Sequence, residues 1–390
     1  MNVADWRAGE WHHLAITWQG VEMSLYVDGR QVAQTTCSRS PEPTAENLYI
    51  GSGSPGEELS VDAVIDELRI SDVPRLGNPE SAAISTQSAT PEQPSPFAGW
   101  IAYGTGLGTG SEIVLLNPAT GFQQQITNNG AIDEAPSFSA DNWKVVYASN
   151  RSQSGWELYA YNLNSGIELQ LTSLDGQARF PDWSPVPGDT RIVFEWRITE
   201  PQSATNIWIW DTASGDLQQL TRGGADSRPE WSPDGTHLLF GRATQDTTGD
   251  GRITPSDASD LYTLDLATRL EKNLTRTPEY DDFDFTWSPD GERIAFTSVR
   301  GDVNGDGVVN LSDSQDLFTI GADGSGERRQ DLGGKPVYTP AWSPDGRFIL
   351  VVVAEEGGQT ALWRLDTRNG DFTPLTEPGA YYHPTYSSLP

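Results

Sequence analysis

The sequence predicts an all-β chain, most of it built from one repeated sheet unit. Three observations carry that expectation. Gly (39), Pro (26) and Trp (14) are abundant over 390 residues, which describes many short strands joined by tight turns and pinned by aromatic anchors. Strand-like apolar runs recur along the chain, and from about residue 97 they come with a landmark, an aromatic residue followed by Ser and a turn. The landmarks stand 45, 48, 56, 55 and 44 residues apart, the period of stacked supersecondary units.

Taken in order, residues 1–74 alternate like strands. Trp11-His12-His13 leads into Leu14–Trp18, then Leu25-Tyr26-Val27 with Asp28-Gly29 as a hairpin turn, then Leu48–Gly51 and Val64–Ile70. Residues 75–96 carry Pro, Ser, Thr, Gln and Glu with almost no periodicity and read as a linker. Residues 97–390 hold the repeats, with landmarks at Phe138-Ser139, Trp183-Ser184-Pro185, Trp231–Gly235, Trp287–Gly291, Trp342–Gly346 and Tyr386-Ser387. In the Trp-Ser-Pro-Asp-Gly form, Pro presets φ at the second turn position and Gly tolerates positive φ. Each landmark is followed by apolar strands, usually ending in Leu-Thr, as at Leu171-Thr172 and Leu220-Thr221.

Four strands per repeat is the content of a propeller blade. Residues 97–127 supply three strands but lack the aromatic-Ser strand that should precede them, and the C-terminus supplies that strand, His383–Ser387, with nothing after it. Joining the two predicts a six-bladed β-propeller closed by the C-terminal strand, which removes the open sheet edge. A partial β-sandwich precedes it.

Composition bounds the partners. Asp plus Glu is 55 against 25 Lys plus Arg, a formal charge of −30. Nucleic acid and anionic membrane surfaces need a positive footprint, so neither is expected. Cys37 is the only cysteine, which excludes an intramolecular disulfide and a Cys-based metal cluster. No apolar run reaches a membrane span, and the opening Met1–Asp5 passes straight into a strand-like pattern without the look of a signal peptide.

The repeats resemble TolB-type six-bladed β-propellers, whose units carry the Trp-Ser-Pro-Asp-Gly turn. That resemblance implies a fold, an interaction platform and an extracellular, cell-surface or periplasmic location, but no single activity. Residues 1–74 resemble the C-terminal half of a laminin-G-like (concanavalin-type) jelly roll, on Leu25–Gly29, Leu48–Gly51 and Ile65–Arg69. The missing half leaves an unpaired edge and implies self-assembly through residues 1–74 as one route.

Two repeats run about ten residues longer, and their extra residues resemble the calcium loops of EF-hands and dockerins. Counted from Asp246 and Asp302, oxygen side chains fall at positions 1, 3, 5, 9 and 12, with Gly at 6. Carried over, the first site would use Asp246, Thr248, Asp250, the carbonyl of Arg252 and Asp257, with Thr254 through water. The second would use Asp302, Asn304, Asp306, the carbonyl of Val308 and Asp313, with Asn310 in the water-linked place. Two Ca²⁺ ions per chain are expected, with a structural task, ordering long hairpins. Strands rather than helices follow both loops, so a dockerin's helical docking surface is absent.

The loops entering the innermost strands are expected to line the mouth of the channel. They hold Glu134, Phe180, Asp182, Arg228, Glu230, Asp281, Asp282, Asp284, Tyr338, Tyr381, Tyr382 and His383, with His383 beside two tyrosines and Arg228 and Asp284 elsewhere on the ring. Such a set could serve acid–base chemistry in a polysaccharide lyase or hydrolase. No nucleophile elbow or phosphate loop appears, and Gly104–Gly110 is better read as a hairpin. The reading is a non-enzymatic recognition scaffold for a protein or glycan partner, with the polysaccharide enzyme and the self-assembling subunit as rivals.

Overall fold

The structure is a computed structural model. It describes the backbone of residues 14–19, 22–27 and 30–36, and residues 95–389 apart from 107–109, 153–154, 175, 198–203, 279, 302–312 and 314. The chain divides into two compact units, Met1–Glu92 and Gln93–Pro390.

In the first unit Leu14–Gln19, Glu22–Val27 and Arg30–Thr36 form a three-stranded antiparallel sheet in chain order. Val27 pairs with Arg30, and the expected turn residues Asp28 and Gly29 lie outside the described residues. The expected strands at Leu48–Gly51 and Val64–Ile70, and residues 75–94 of the linker, lie outside the described residues.

In the second unit, six four-stranded antiparallel sheets follow one another. Blade 1 pairs the C-terminal Tyr382–Tyr386 with Ile101–Thr105, then Glu112–Leu116 and Gln123–Gln125, which is the predicted closure. Blades 2 to 6 begin with the inner strands Asp133–Phe138, Gln177–Trp183, Asp226–Trp231, Asp281–Trp287 and Val337–Trp342. The outermost strands have at most three residues, which blunts the exposed edges. Closure is fastened beyond the strands as well. Trp100 N–H donates to Ser387 Oγ at 2.8 Å, and Ser388 N–H donates to Asn142 Oδ1 at 3.0 Å.

The landmark turn is a small polar cage. In Ser232, Ser288 and Ser343 the hydroxyl donates to the Asp two residues on at 2.6–2.7 Å and accepts the N–H that opens the next strand at 2.8–2.9 Å. Gly235, Gly291 and Gly346 hold φ near +70°, and Asn142, at φ 57°, takes that place in blade 2. The aromatic of each landmark packs between blades. Trp231 lies among Val193, Ile207 and Ile209 of blade 3 and Leu238, Phe240 and Leu264 of blade 4.

The Leu-Thr signature has an equally local cause. Thr127, Thr172, Thr221, Thr275 and Thr376 each accept, on Oγ1, the N–H of a third-strand residue fourteen positions earlier, at 2.9–3.1 Å. Thr172 also donates to the buried Glu157 at 2.6 Å. Blades 2, 4 and 5 add an ion triad. Arg151, Arg242 and Arg300 each sit between an inner-strand Asp (Asp133, Asp226, Asp282) and an outer Glu (Glu168, Glu271, Glu327). Those aspartates are fully buried, and removing a partner from such a pair strands a charge.

Replacing Thr172 by Val is expected to orphan the Leu158 N–H and destabilise the propeller by about 1–3 kcal/mol, while Trp231→Ala is expected to cost roughly 3–5 kcal/mol. Equilibrium urea unfolding of the two variants measures both.

Candidate functional site in the propeller channel

Each inner strand carries a bulge where it passes the channel. The pairing register slips between Glu134 and Ser137, Arg179 and Asp182, Ser227 and Glu230, Phe283 and Phe285, Tyr338 and Ala341, and Tyr382 and Thr385. At each slip one residue takes positive φ: Ala135, Phe180, Arg228, Asp284, Thr339 and His383, at 42–52°. None is glycine. Five of the six precede Pro, which bars the ordinary α conformation and lacks the N–H that a regular ladder needs.

Four of these side chains, Phe180, Arg228, Asp284 and His383, meet one another. Arg228 forms an ion pair with Asp284, whose other oxygen accepts Thr339 N–H at 3.3 Å. The guanidinium lies 4.7 Å over the Phe180 ring, and Phe180 meets His383 edge-on at 5.5 Å. Burial, with Arg228 and Arg179 nearby, pushes the His383 imidazole down to about 3. Its Nδ1 has no hydrogen-bond partner among the described residues.

On one side of this ring a cavity of about 330 Å³ is walled by the landmark aromatics Phe138, Trp183, Trp231, Trp287, Trp342 and Tyr386. Asp182 and Glu230 enter it from neighbouring blades. Asp182 accepts Ser137 Oγ–H at 2.7 Å and Trp231 N–H at 2.8 Å, and Glu230 accepts Trp287 N–H at 2.8 Å and Thr286 Oγ–H at 3.1 Å, both on Oε1. Burial raises Asp182 to about 6, and burial together with Asp182 raises Glu230 well above the usual carboxylate range.

This corrects the expected layout. Glu134, Phe180, Arg228, Asp284, Tyr338, Tyr382 and His383 stand on the inner strands themselves, not on the loops entering them. Inner strands run away from those loops and end at the Trp-Ser-Pro turns, so a cavity lined by the aromatics together with Pro185, Pro233 and Pro344 opens on the turn face, opposite the expected mouth.

The first candidate calcium loop connects the second and third strands of blade 4, on the face where the inner strands begin. Gly251, at position 6, has φ 82°. Asp257 is 1% exposed and accepts the N–H groups of Thr247, Thr248 and Thr254 at 2.8–2.9 Å. Burial opposes its charge, but those N–H groups win and hold its carboxyl below the usual value. Asp246 accepts the Gly249 and Gly251 N–H groups. The Thr248 hydroxyl lies 3.5 Å from Asp246 Oδ1 and 3.1 Å from Asp257 Oδ1, so positions 1, 3 and 12 meet. Asp250 instead accepts Arg252 N–H at 2.8 Å. Among the described residues no three carboxylate, imidazole or thiol groups converge as a preformed metal site. The donor types still suit calcium, since an ionised carboxylate that accepts N–H bonds keeps further lone pairs. Of the second loop, Asp302, Asn304, Asp306, Val308 and Asn310 lie outside the described residues, and Asp313 is buried.

Residues 95–253 match the family model described as the TolB beta propeller domain, and residues 1–78 match one described as the concanavalin A-like lectin/glucanases superfamily. The propeller is TolB-like. A Tol-Pal system protein TolB of Francisella tularensis is 25% identical over 251 residues, 63% of this chain and 52% of that protein. An uncharacterized peptidase YuxL of Bacillus subtilis is 27% identical over 154 residues, 40% of this chain and 21% of that one. The chain thus spans about half of one curated relative and a fifth of the other. Among solved structures, TolB from Acinetobacter baumannii superposes with a TM-score of 0.58 at 17% identity, covering 75% of this chain and 68% of that one. Kuenenia stuttgartiensis hydrazine synthase gives 0.60 at 13%, covering 76% and 47%. At such identities the likeness concerns the fold. Among the described residues no helix is long and apolar enough to cross a membrane.

Asp281, at the start of the blade 5 inner strand, has its carboxyl pushed from 3.8 to about 6 by burial, against bonds from Ser259. The native state therefore binds this proton more tightly than the unfolded chain, and this group's contribution to stability falls as pH rises from about 4 to 6. Asp281→Asn keeps an oxygen for Ser259. It should stabilise the protein at about pH 7.5 and do much less at about pH 4.5, read by urea unfolding at both values.

Proposed function

We propose that this chain is an extracytoplasmic recognition scaffold, binding a protein or glycan partner through its propeller and stabilised by calcium at two loops in blades 4 and 5. The observation that carries recognition over catalysis is the state of His383. Burial first, then the nearby Arg228 and Arg179 guanidinium groups, keep the imidazole neutral far below physiological pH. A general acid or base works best with a pKa near the operating pH. The ion-paired Arg228 and Asp284 serve as structure around the axis. The match of residues 1–78 to a lectin/glucanase superfamily model supports the glycan side of the reading.

Calcium is supported by the first loop's geometry. Asp246, Thr248 and Asp257 already meet, and Asp250 and the Arg252 carbonyl belong to the same turn. The loop leads directly into Ser259, whose N–H and hydroxyl bond Asp281, and Asp282 beside it pairs with Arg300 at the head of the second loop. An ion in either loop would stiffen the same corner of blade 5. Residues 1–74 and the extracellular, cell-surface or periplasmic setting remain part of this reading.

Calorimetric titration with calcium, and thermal melts in calcium and in chelator, test it on the wild type and on Asp250→Ala with Asp306→Ala. Two sites per chain and a melting temperature raised by calcium are expected, both abolished in the double variant. No binding at millimolar calcium would remove the calcium half of the proposal.

A further inference from the structure

The cavity on the turn face has a chemistry of its own. Its walls include six aromatic rings, and two carboxylates from neighbouring blades, Asp182 and Glu230, line it. The other charges facing these acids cancel or vanish, because Arg228 is ion-paired with Asp284 and His383 is neutral. Asp182 has a donor on each oxygen, but Glu230 receives both of its bonds on Oε1, leaving Oε2 with no donor among the described residues.

The indoles bear on the ligand as well. Lys144, Arg191 and Arg293 of this chain already lie over the Trp183, Trp231 and Trp342 rings at 5.0–5.6 Å, so these walls attract cations. Trp231 Nε1–H donates to the Asp182 carbonyl at 3.2 Å, which ties that wall to the strand carrying the acid.

We infer that this well binds the basic side chain of a partner polypeptide, its guanidinium or ammonium group seated on Asp182 and Glu230 between the aromatic walls. The inference rests on the recognition reading and narrows it to a protein partner at this face. A volume of about 330 Å³ suits one long side chain and is small for an oligosaccharide. In the free protein the two acids hold protons tightly, and an arriving cation displaces them, so binding weakens as pH falls through about 6, the value to which burial raises Asp182.

The probe is N-acetyl-arginine methylamide, titrated calorimetrically into the full chain in chelator, with the isosteric citrulline amide as the neutral comparison. Working in chelator separates this result from the calcium reading, which stands or falls on its own melts. Binding of the arginine amide with no binding of the citrulline amide is expected. Glu230→Gln and Asp182→Asn, which keep the acceptors for Trp287 and Trp231, should each weaken it by about tenfold or more, as loss of one charge-assisted bond does. No arginine binding by the wild type, equal binding of the two amides, or an affinity unchanged in both variants overturns the inference. The two amides are compared on unmodified protein, so that comparison does not depend on the variants folding.

Discussion

Six inner strands converge on one axis, and the rest of the propeller follows from how they avoid colliding there. Each inserts a bulge and turns one residue to positive φ, at positions occupied by Ala, Phe, Arg, Asp, Thr and His. For a β-branched residue such as Thr339 this conformation is a true outlier, costing on the order of 1–3 kcal/mol. It survives because the neighbours leave no alternative. The following strand residues must place the landmark aromatic between blades, and the preceding ones must pair with the second strand in the other register. The bulge reconciles the two demands and throws its own side chain into the channel.

The polar groups freed by that geometry are satisfied across blades. Ser137 accepts Trp183 N–H, Asp182 accepts Trp231 N–H, and Glu230 accepts Trp287 N–H, each from the next blade round the ring. One position thus does the same hydrogen-bonding task with a hydroxyl, a short acid and a longer acid. The two acids pass on to the cavity a charge that the serine does not, which is how a structural relay acquires chemistry. The threonine of Leu-Thr works in the same manner within a blade, capping an N–H at the point where the outermost strand stops pairing.

Much of the fold was legible because its signals are local. A Ser, an Asp and a Gly within five residues form their cage without help from the rest of the chain, so Trp231–Gly235 and its copies declare the blade count directly. Closure was legible by subtraction, from a repeat lacking a strand at one end and a spare strand at the other. The ion triads were not, because Asp133, Arg151 and Glu168 are separated by whole strands and only pairing brings them together. The bulges left one faint trace, the Pro after five of the six ring residues, which reads as an ordinary turn signal until the register is known. Ascribing Arg228, Asp284 and His383 to loops put them at the surface, whereas a bulge inside a strand holds them at mid-channel.

The internal repeats offer a further distinction. Where six blades must solve one packing problem, they use one answer: an aromatic at the strand end, Ser after it, and Gly or Asn in the turn. At the bulge the backbone solution is as uniform, with φ confined to 42–52°, yet no two of the six side chains are alike. The position inward of the aromatic is mixed as well, Ser137, Asp182, Glu230, Thr286, Ala341 and Thr385. Backbone geometry therefore accounts for the conformation at these places but not for the side chains that fill them. If packing alone set those side chains, small apolar residues would serve in every blade, as Ala135 and Ala341 do. At the position before the aromatic the acids instead sit in two adjacent blades, 3 and 4, and give a six-fold frame a polar side. A ligand held there meets carboxylates on one flank and aromatic rings all round, so the propeller's near-symmetry builds the well while its departure from symmetry fixes the orientation of what binds.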